Sequence, residues 1–223
     1  TGDPVAMVHC NNCTSEINAW VKIFDEFAKL MGTEFDRGAM FEKLYSVALD
    51  GDADCGGLVS YNYLSGEPVT GFIKGSPLFM RSAEDKFTLP NFMRMNLYSA
   101  LAALKVGLDI LIKEEGVSVK KMFGHGGYFK TPKAGQTIAS AACNSPVCVM
   151  ETAGEGGAWG IAVLALYMAQ KNGETLSEYL NNKIFASAKS VEIMADKKDV
   201  DGFDKFMEKY VKGLAVEKAA TEV

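Results

Sequence analysis

The sequence predicts an α/β fold, and two observations carry that expectation. A unit of short apolar strand, glycine-rich hinge and helix occurs twice in succession, at 117–143 and at 147–170. That order marks helices packed on a sheet. Ahead of it, amphipathic helical patterns alternate with short strand-like runs. The composition, 48% hydrophobic and 23% charged over 223 residues, is that of an ordinary globular domain.

Residues 5–10, VAMVHC, read as a short buried strand. The stretch 15–31 then places Ile17, Trp20, Val21, Phe24, Phe27, Ala28 and Met31 at helical spacing, with Thr14 or Ser15 as cap and Gly32 as terminator. A second helix is expected over 37–49. The turn-rich DGDADCG at 50–56, the strand-like GLVSYNYL and the turn SGEP follow. The longest helical pattern covers 89–115, where Thr88 and Pro90 suit a helix start. A strand is expected at 117–123, a helix at 133–143, a strand at 147–150 and a helix at 158–170. The last is apolar on every side and is therefore expected to be buried. A final amphipathic helix carries Phe203, Phe206, Met207, Tyr210, Val211 and Leu214, with Asp201 as its cap. No linker or repeat divides the chain, so one domain is expected.

Several function classes are disfavoured at this level. The net charge of −5 offers no basic excess for nucleic acid or an acidic membrane. The run 161–169 falls short of the roughly 20 apolar residues that cross a bilayer, and no secretory leader pattern is visible. The first residue is Thr, so the chain is expected to be a piece or processed product of something longer. Five cysteines, an odd count, predict reduced thiols in a cytoplasm.

Three constellations could carry chemistry. The glycine hinges 124–127 and 154–157 each open a helix. Glycine there lets a ligand approach the backbone, and the helix N-terminus favours an anion. Two hinges in successive units could lie side by side at one end of a sheet, where α/β proteins bind ligands. Neither fits a P-loop or a dinucleotide fingerprint, so their spacing leaves a nucleotide site and a pair of plain turns equally open. HCNNCTS at 9–15 could hold zinc or a redox pair through Cys10 and Cys13, with Cys143 and Cys148 as further ligands. A strand, a polar turn and a helix cap explain the same letters. Asp50, Asp52 and Asp54 suit a solvated turn, because the downstream ligands of a calcium loop are missing. His125, in the first hinge, is read as a polar turn residue, and no metal site is expected.

LSGEP (64–68), MRMNLYSALAALKVGLDIL (93–111) and GHGGYFKTPKAGQTIASAACNSPVCVMETAGEGGAWGIAVLA (124–165) follow one another in the order found in the C-terminal domain of the FGGY carbohydrate kinases, which the chain resembles over about 5–212. Among subgroups it is most similar to xylulokinases. The resemblance implies an actin-like ATPase (ribonuclease H-like) domain, a mixed sheet flanked by helices. All of 1–223 would be the nucleotide-binding domain of a sugar kinase whose N-terminal sugar-binding and catalytic domain is absent from this chain. It implies ATP and Mg2+ as cofactors and transfer of the γ-phosphoryl to a sugar hydroxyl, most simply of a ketopentose such as xylulose, in the cytoplasm. The isolated chain is expected to be inactive. By the same resemblance Gly126, Gly127, Tyr128 and Thr131 would line the nucleotide. Ser15, Asn18 and Ala19 would lie near the adenine or ribose, and Gly154 and Glu155 would support the cleft. No catalytic residue is assigned here, since Asp3 does not match the family's catalytic aspartate. Tyr128, Phe129 and Lys130 are bulkier than the small residues usual after the two glycines, and Lys130 would offer the phosphates a charge. The partners implied are ATP, a small sugar, the missing domain and, as one open arrangement, a second copy in a homodimer, with neither nucleic acid nor membrane. A non-catalytic sugar or nucleotide sensor on the same domain is the alternative.

Overall fold

The computed structural model describes residues 5–151, 154, 156–170 and 172–223. Its centre is α3, Leu89–Asp109, continued by a wider turn over Ile110–Glu114. Thr88 caps α3 by accepting from the Asn91 N–H. Every residue from Asn91 to Ala103 is buried, the polar Asn91, Arg94, Asn96 and Ser99 among them. The span from Leu89 to Glu114 is long and apolar enough to cross a membrane by length and composition. It is longer than the 161–169 run singled out from the sequence, and it is the core of this fold.

Helix α1, Ser15–Leu30, and helix α2, Arg37–Val47, pack on one side of α3. Thr14 stands at the α1 cap position without a side-chain capping bond, whereas Asp36 caps α2 by accepting from the Ala39 N–H. Residues 5–10 form no strand: Val5 and Met7 are exposed. β-branched residues favour strands only where a neighbouring strand pairs with them, and none of the described strands pairs with this segment. Strands β1, Val59–Tyr61, and β2, Leu78–Met80, make an antiparallel pair in the register Val59 to Met80.

The second half is the expected α/β unit. Strand β3, Met122–Gly124, helix α4, Ala134–Cys143, and strand β4, Val147–Met150, form a parallel crossover with Phe123 opposite Cys148. Almost all of α4 is buried. Helices α5, Gly156–Gln170, and α6, Leu176–Tyr179, come next. Strand β5, Ser190–Ile193, then joins β4 antiparallel and completes a mixed sheet ordered β3-β4-β5. Gln136 on α4 donates to the Val147 and Val191 carbonyls and fastens the helix to two strands.

Helix α5 departs from expectation. Only Val163 among its residues is buried, while Ile161, Leu164 and Met168 stand in solvent at helical spacing. Trp159 on Phe185 and Tyr167 on Tyr179 attach the helix to the segment after it. Its apolar composition is therefore unused within the described residues.

The terminal helix α7, Lys197–Ala220, is capped by Asp196, which accepts from the Asp199 N–H; Asp201 lies inside the helix rather than at its start. Phe203, Phe206 and Tyr210 are buried against Tyr98 and Tyr61. The fully buried Arg94 of α3 reaches Asp199, the Tyr98 hydroxyl and the Leu49 and Gly51 carbonyls, so its charge is paired and its donors are used.

Glu217, near the end of α7, is also buried. One carboxylate oxygen accepts from the Ser76 N–H at 2.9 Å, and the other has no partner among the described residues. Burial holds its pKa above the ordinary glutamate value, and the Ser76 bond offsets only part of that rise. A carboxyl with a raised folded pKa binds its proton more tightly in the folded state, so its contribution to stability falls as pH rises through the folded pKa. Glu217→Gln is therefore expected to melt higher relative to the parent at pH 7 than at pH 4.5. Paired melts at the two values check this; an unchanged or inverted difference would show that the buried carboxylate is not penalised.

Candidate functional site

The two hinges follow the C-terminal ends of the parallel strands β3 and β4, so both lie at the same edge of the sheet. They also touch. A Cβ added at Gly156 would stand 2.7 Å from His125 Nδ1, and one at Gly154 would stand 3.5 Å from Lys130 Cε. The side-by-side arrangement expected from the sequence is present. Glu155 lies outside the described residues.

Beside the first hinge is a cleft of about 650 Å³. One wall is the start of α1, with Thr14 and Asn18. The second is α2, with Gly38, Phe41, Glu42 and Tyr45. The third is the hinge, with Gly127, Lys130, Thr131 and Pro132. Four residues that the resemblance assigns to the nucleotide, Asn18 and the hinge residues Gly127, Lys130 and Thr131, therefore meet in one concavity although Asn18 is more than a hundred residues from the hinge. Ser15 and Ala19 are exposed on α1 and do not line it. Gly126 sits just behind the lining at φ +95, a backbone region that favours glycine.

Tyr128 lies beneath the cleft, not on its surface. Its ring is buried edge-on to Tyr45 and Phe129, and its hydroxyl donates to the Leu97 carbonyl at 3.0 Å. It anchors the short helical turn Gly127–Phe129 to α3. Gly135 on α4 lets that helix approach the same turn closely, since a Cβ there would meet the Tyr128 carbonyl at 2.2 Å.

The lining has the mixed chemistry of a small-molecule site. Phe41 and Tyr45 offer aromatic surface. Burial, with Cys13 nearby, raises the Tyr45 phenol to about 12, so it stays a neutral donor at physiological pH. Asn18 and Glu42 can bond the edge of a ligand, while Lys130, exposed at the rim, brings a positive charge. The first N–H groups of the Gly127–Phe129 turn have no acceptor within the turn and suit an anion. An aromatic wall, a lysine and free amides on one concavity can take a flat base and a phosphate chain. The α2 wall was not foreseen. Phe41 and Tyr45 are one helical turn apart beside the buried Met40 and Leu44, so their pattern resembles that of a core-facing stripe.

The cysteines take a different role. Burial first, then Glu67 and Cys13, push the Cys10 thiol up to about 11, and burial raises Cys13 as well. A redox nucleophile needs the thiolate, which such surroundings disfavour. Among the described residues no three His, Cys, Asp or Glu side chains gather as a metal site.

Residues 1–169 match the family model for the FGGY family of carbohydrate kinases, C-terminal domain. Solved structures share the fold at low identity. A xylulose kinase from Lactobacillus acidophilus, bound to a ligand, is 19% identical with TM-score 0.64, over 80% of this chain and 35% of that one. A gluconate kinase from the same organism is 18% identical with TM-score 0.68, over 96% and 40%. A Plasmodium falciparum glycerol kinase with ADP is 16% identical with TM-score 0.59, over 78% and 33%. The chain thus spans between a third and two-fifths of the length of these structures, and its mixed sheet with flanking helices is their actin-like ATPase fold. A comparison with curated protein sequences finds no significant match.

Proposed function

Because this chain belongs to the FGGY family of carbohydrate kinases, we propose that residues 1–223 are the ATP-binding half of a sugar kinase, working with an N-terminal half that supplies the catalytic aspartate and most of the sugar site. The observation that carries the reading is the cleft that gathers Asn18, Gly127 and Thr131 between α1, α2 and the first hinge. The base would lie against Phe41 and Tyr45. The phosphates would run past Gly127 toward Lys130 and the second hinge. Phosphoryl transfer needs little covalent help from the protein; positioning and charge stabilisation do most of the work. In this chain those tasks fall to the Gly127 and Tyr128 amides, which would orient the phosphates, and to Lys130, which would neutralise charge. Glu42 is the one carboxylate among the described residues of the lining, and a single carboxylate does not make an all-protein Mg2+ site. Mg2+ would arrive on the ATP phosphates, as is usual for this ion, and would neutralise their charge. The acceptor class is a sugar or polyol hydroxyl, with a ketopentose such as xylulose as first choice, because the xylulokinase subgroup is the most similar in motif order and xylulose kinases are among the structural neighbours.

The exposed stripe Ile161, Leu164 and Met168 supports the two-half reading, since an apolar helix face of this kind calls for a covering surface. It would dock the N-terminal half, and closure of the two halves would exclude water from the transferring phosphoryl. The isolated 223 residues are expected to show no sugar phosphorylation. The full-length protein is expected to consume ATP with ketopentoses in preference to gluconate or glycerol. A coupled ADP-release assay over that panel tests both statements. Turnover by the isolated chain, or ATP consumption by neither form with any sugar or polyol, would refute the reading.

A further inference from the structure

We propose that Glu67, far from the hinge in sequence and absent from the cleft lining, is the positioning residue that sets the α1 wall of the nucleotide cleft. Its side chain is fully buried, with no lysine or arginine bridging to it among the described residues. One carboxylate oxygen accepts three bonds from the loop before α1: the Asn11 N–H at 3.0 Å, the Asn12 N–H at 3.1 Å and the Asn12 side-chain amide at 3.2 Å. Asn12 is itself buried and completes the clamp from the other side. Its Oδ1 accepts from the Leu64 and Ser65 N–H groups at 3.0 and 3.2 Å, and its Nδ2 also reaches the Ser65 carbonyl. Asn11 donates to the Gly66 carbonyl at 2.8 Å, and Asn62 donates to the Cys13 carbonyl at 2.6 Å.

The next residue after this clamp is Thr14, which lines the cleft. The Thr14 carbonyl accepts both the backbone and the side-chain N–H of Asn18, the other α1 lining residue. The connection runs from Glu67 to Asn12, along the backbone through Cys13, whose carbonyl Asn62 holds, and on to Thr14 and Asn18. Thr14 has no side-chain capping bond of its own, so the start of α1 is placed by the clamp and not by a local cap. A carboxylate suits the task because charge-assisted bonds to N–H groups are roughly twice as strong as neutral ones. Using it there has a cost: the second Glu67 oxygen and Asn62 Oδ1 are buried without partners among the described residues. A loop tied down only for stability could be held by apolar packing at less expense.

This inference rests on the nucleotide reading of the cleft, and the test separates the two. In the full-length kinase, Glu67→Ala is expected to raise the ATP KM by about tenfold, as expected for loss of a buried charged anchor. The sugar KM should stay within about twofold, because the clamp touches only the nucleotide side. Glu67→Gln keeps an acceptor oxygen in place and should recover most of the ATP affinity. Gly127→Val, which alters the cleft directly, is the control. If Gly127→Val weakens ATP while folded Glu67→Ala leaves the ATP KM unchanged, or raises both KM values together, Glu67 is not a positioning residue. If Gly127→Val also leaves ATP unaffected, the cleft itself is wrong. Should Glu67→Ala not fold, Asn12→Ala decides. It removes the bridging side chain and leaves the carboxylate two backbone donors, so a rise confined to the ATP KM supports the inference and an unchanged ATP KM overturns it.

Discussion

Truncation of the chain before Lys197 is expected to abolish cooperative folding of the domain. The family match ends at residue 169, so α7 lies outside it, yet this helix closes the core. Phe203 and Tyr210 are fully buried and Phe206 nearly so; the Phe203 ring lies 4.5 Å and the Phe206 ring 5.3 Å from the Tyr98 ring. Gly202 and Gly213 allow close approach, since an added Cβ would stand 2.2 Å from the Ala53 carbonyl or 2.3 Å from the Tyr61 hydroxyl. Removing α7 also leaves Arg94 charged and buried without Asp199, and the Ser76 N–H without Glu217. Each large aromatic lost from a core costs about 3–5 kcal/mol, and an uncompensated buried charge costs about as much again. Against a usual total of about 5–15 kcal/mol, the sum leaves no stable domain. Thermal melts followed by circular dichroism check this. A truncated chain with a sharp, native-like transition would show that α7 is an appendage.

Gly127→Val is expected to weaken ATP binding by at least about tenfold with little change in melting temperature. The structure makes this substitution unusually clean. Gly127 lines the cleft, an added Cβ meets nothing within 4 Å, and the residue is not among the glycines with positive φ. The valine methyls would therefore occupy ligand space without disturbing the fold. Its neighbours behave differently. Gly126 has φ +95, so any side chain there strains the backbone, and a Cβ at Gly124 would stand 2.7 Å from the Phe129 ring. Isothermal titration of ADP into the full-length parent and variant gives the answer. Equal affinities would remove the nucleotide from this cleft.

The central architecture was legible in the sequence because local signals and tertiary contacts agree there. Helix α3 has a cap at Thr88 and an apolar pattern that the core uses, and the β3–hinge–α4–β4 crossover follows from two short apolar runs around a glycine turn. Strand β5 was missed. Its four residues SVEI alternate polar and apolar, but over too short a run to stand out, and they are mostly exposed, so the pairing with β4 is what makes them a strand. Residues 5–10 show the reverse: the letters favour a strand and no strand among the described residues pairs with them. Helix α5 reads as buried because periodicity records what a surface could bury and not whether the covering surface belongs to the same chain. In the cleft, the glycine turn was visible as a hinge. Tyr128 was expected to face the ligand, yet its ring turns inward, because a tyrosine's direction depends on Gly135 and Leu97 and not on its place after two glycines. Glu67 carries no signal of its own within LSGEP. A buried acid whose partners lie more than fifty residues away leaves no local signature.

The central claim, that nucleotide binds between α1, α2 and the first hinge, is tested most directly by amide hydrogen exchange on the full-length protein with and without ADP. The account predicts ADP-dependent protection in this chain at the start of α1 near Thr14 and Asn18, at α2 near Phe41 and Tyr45, and at the hinge from Gly126 to Thr131, extending to the second hinge that touches it. Protection elsewhere in the chain with none at these three segments would contradict it.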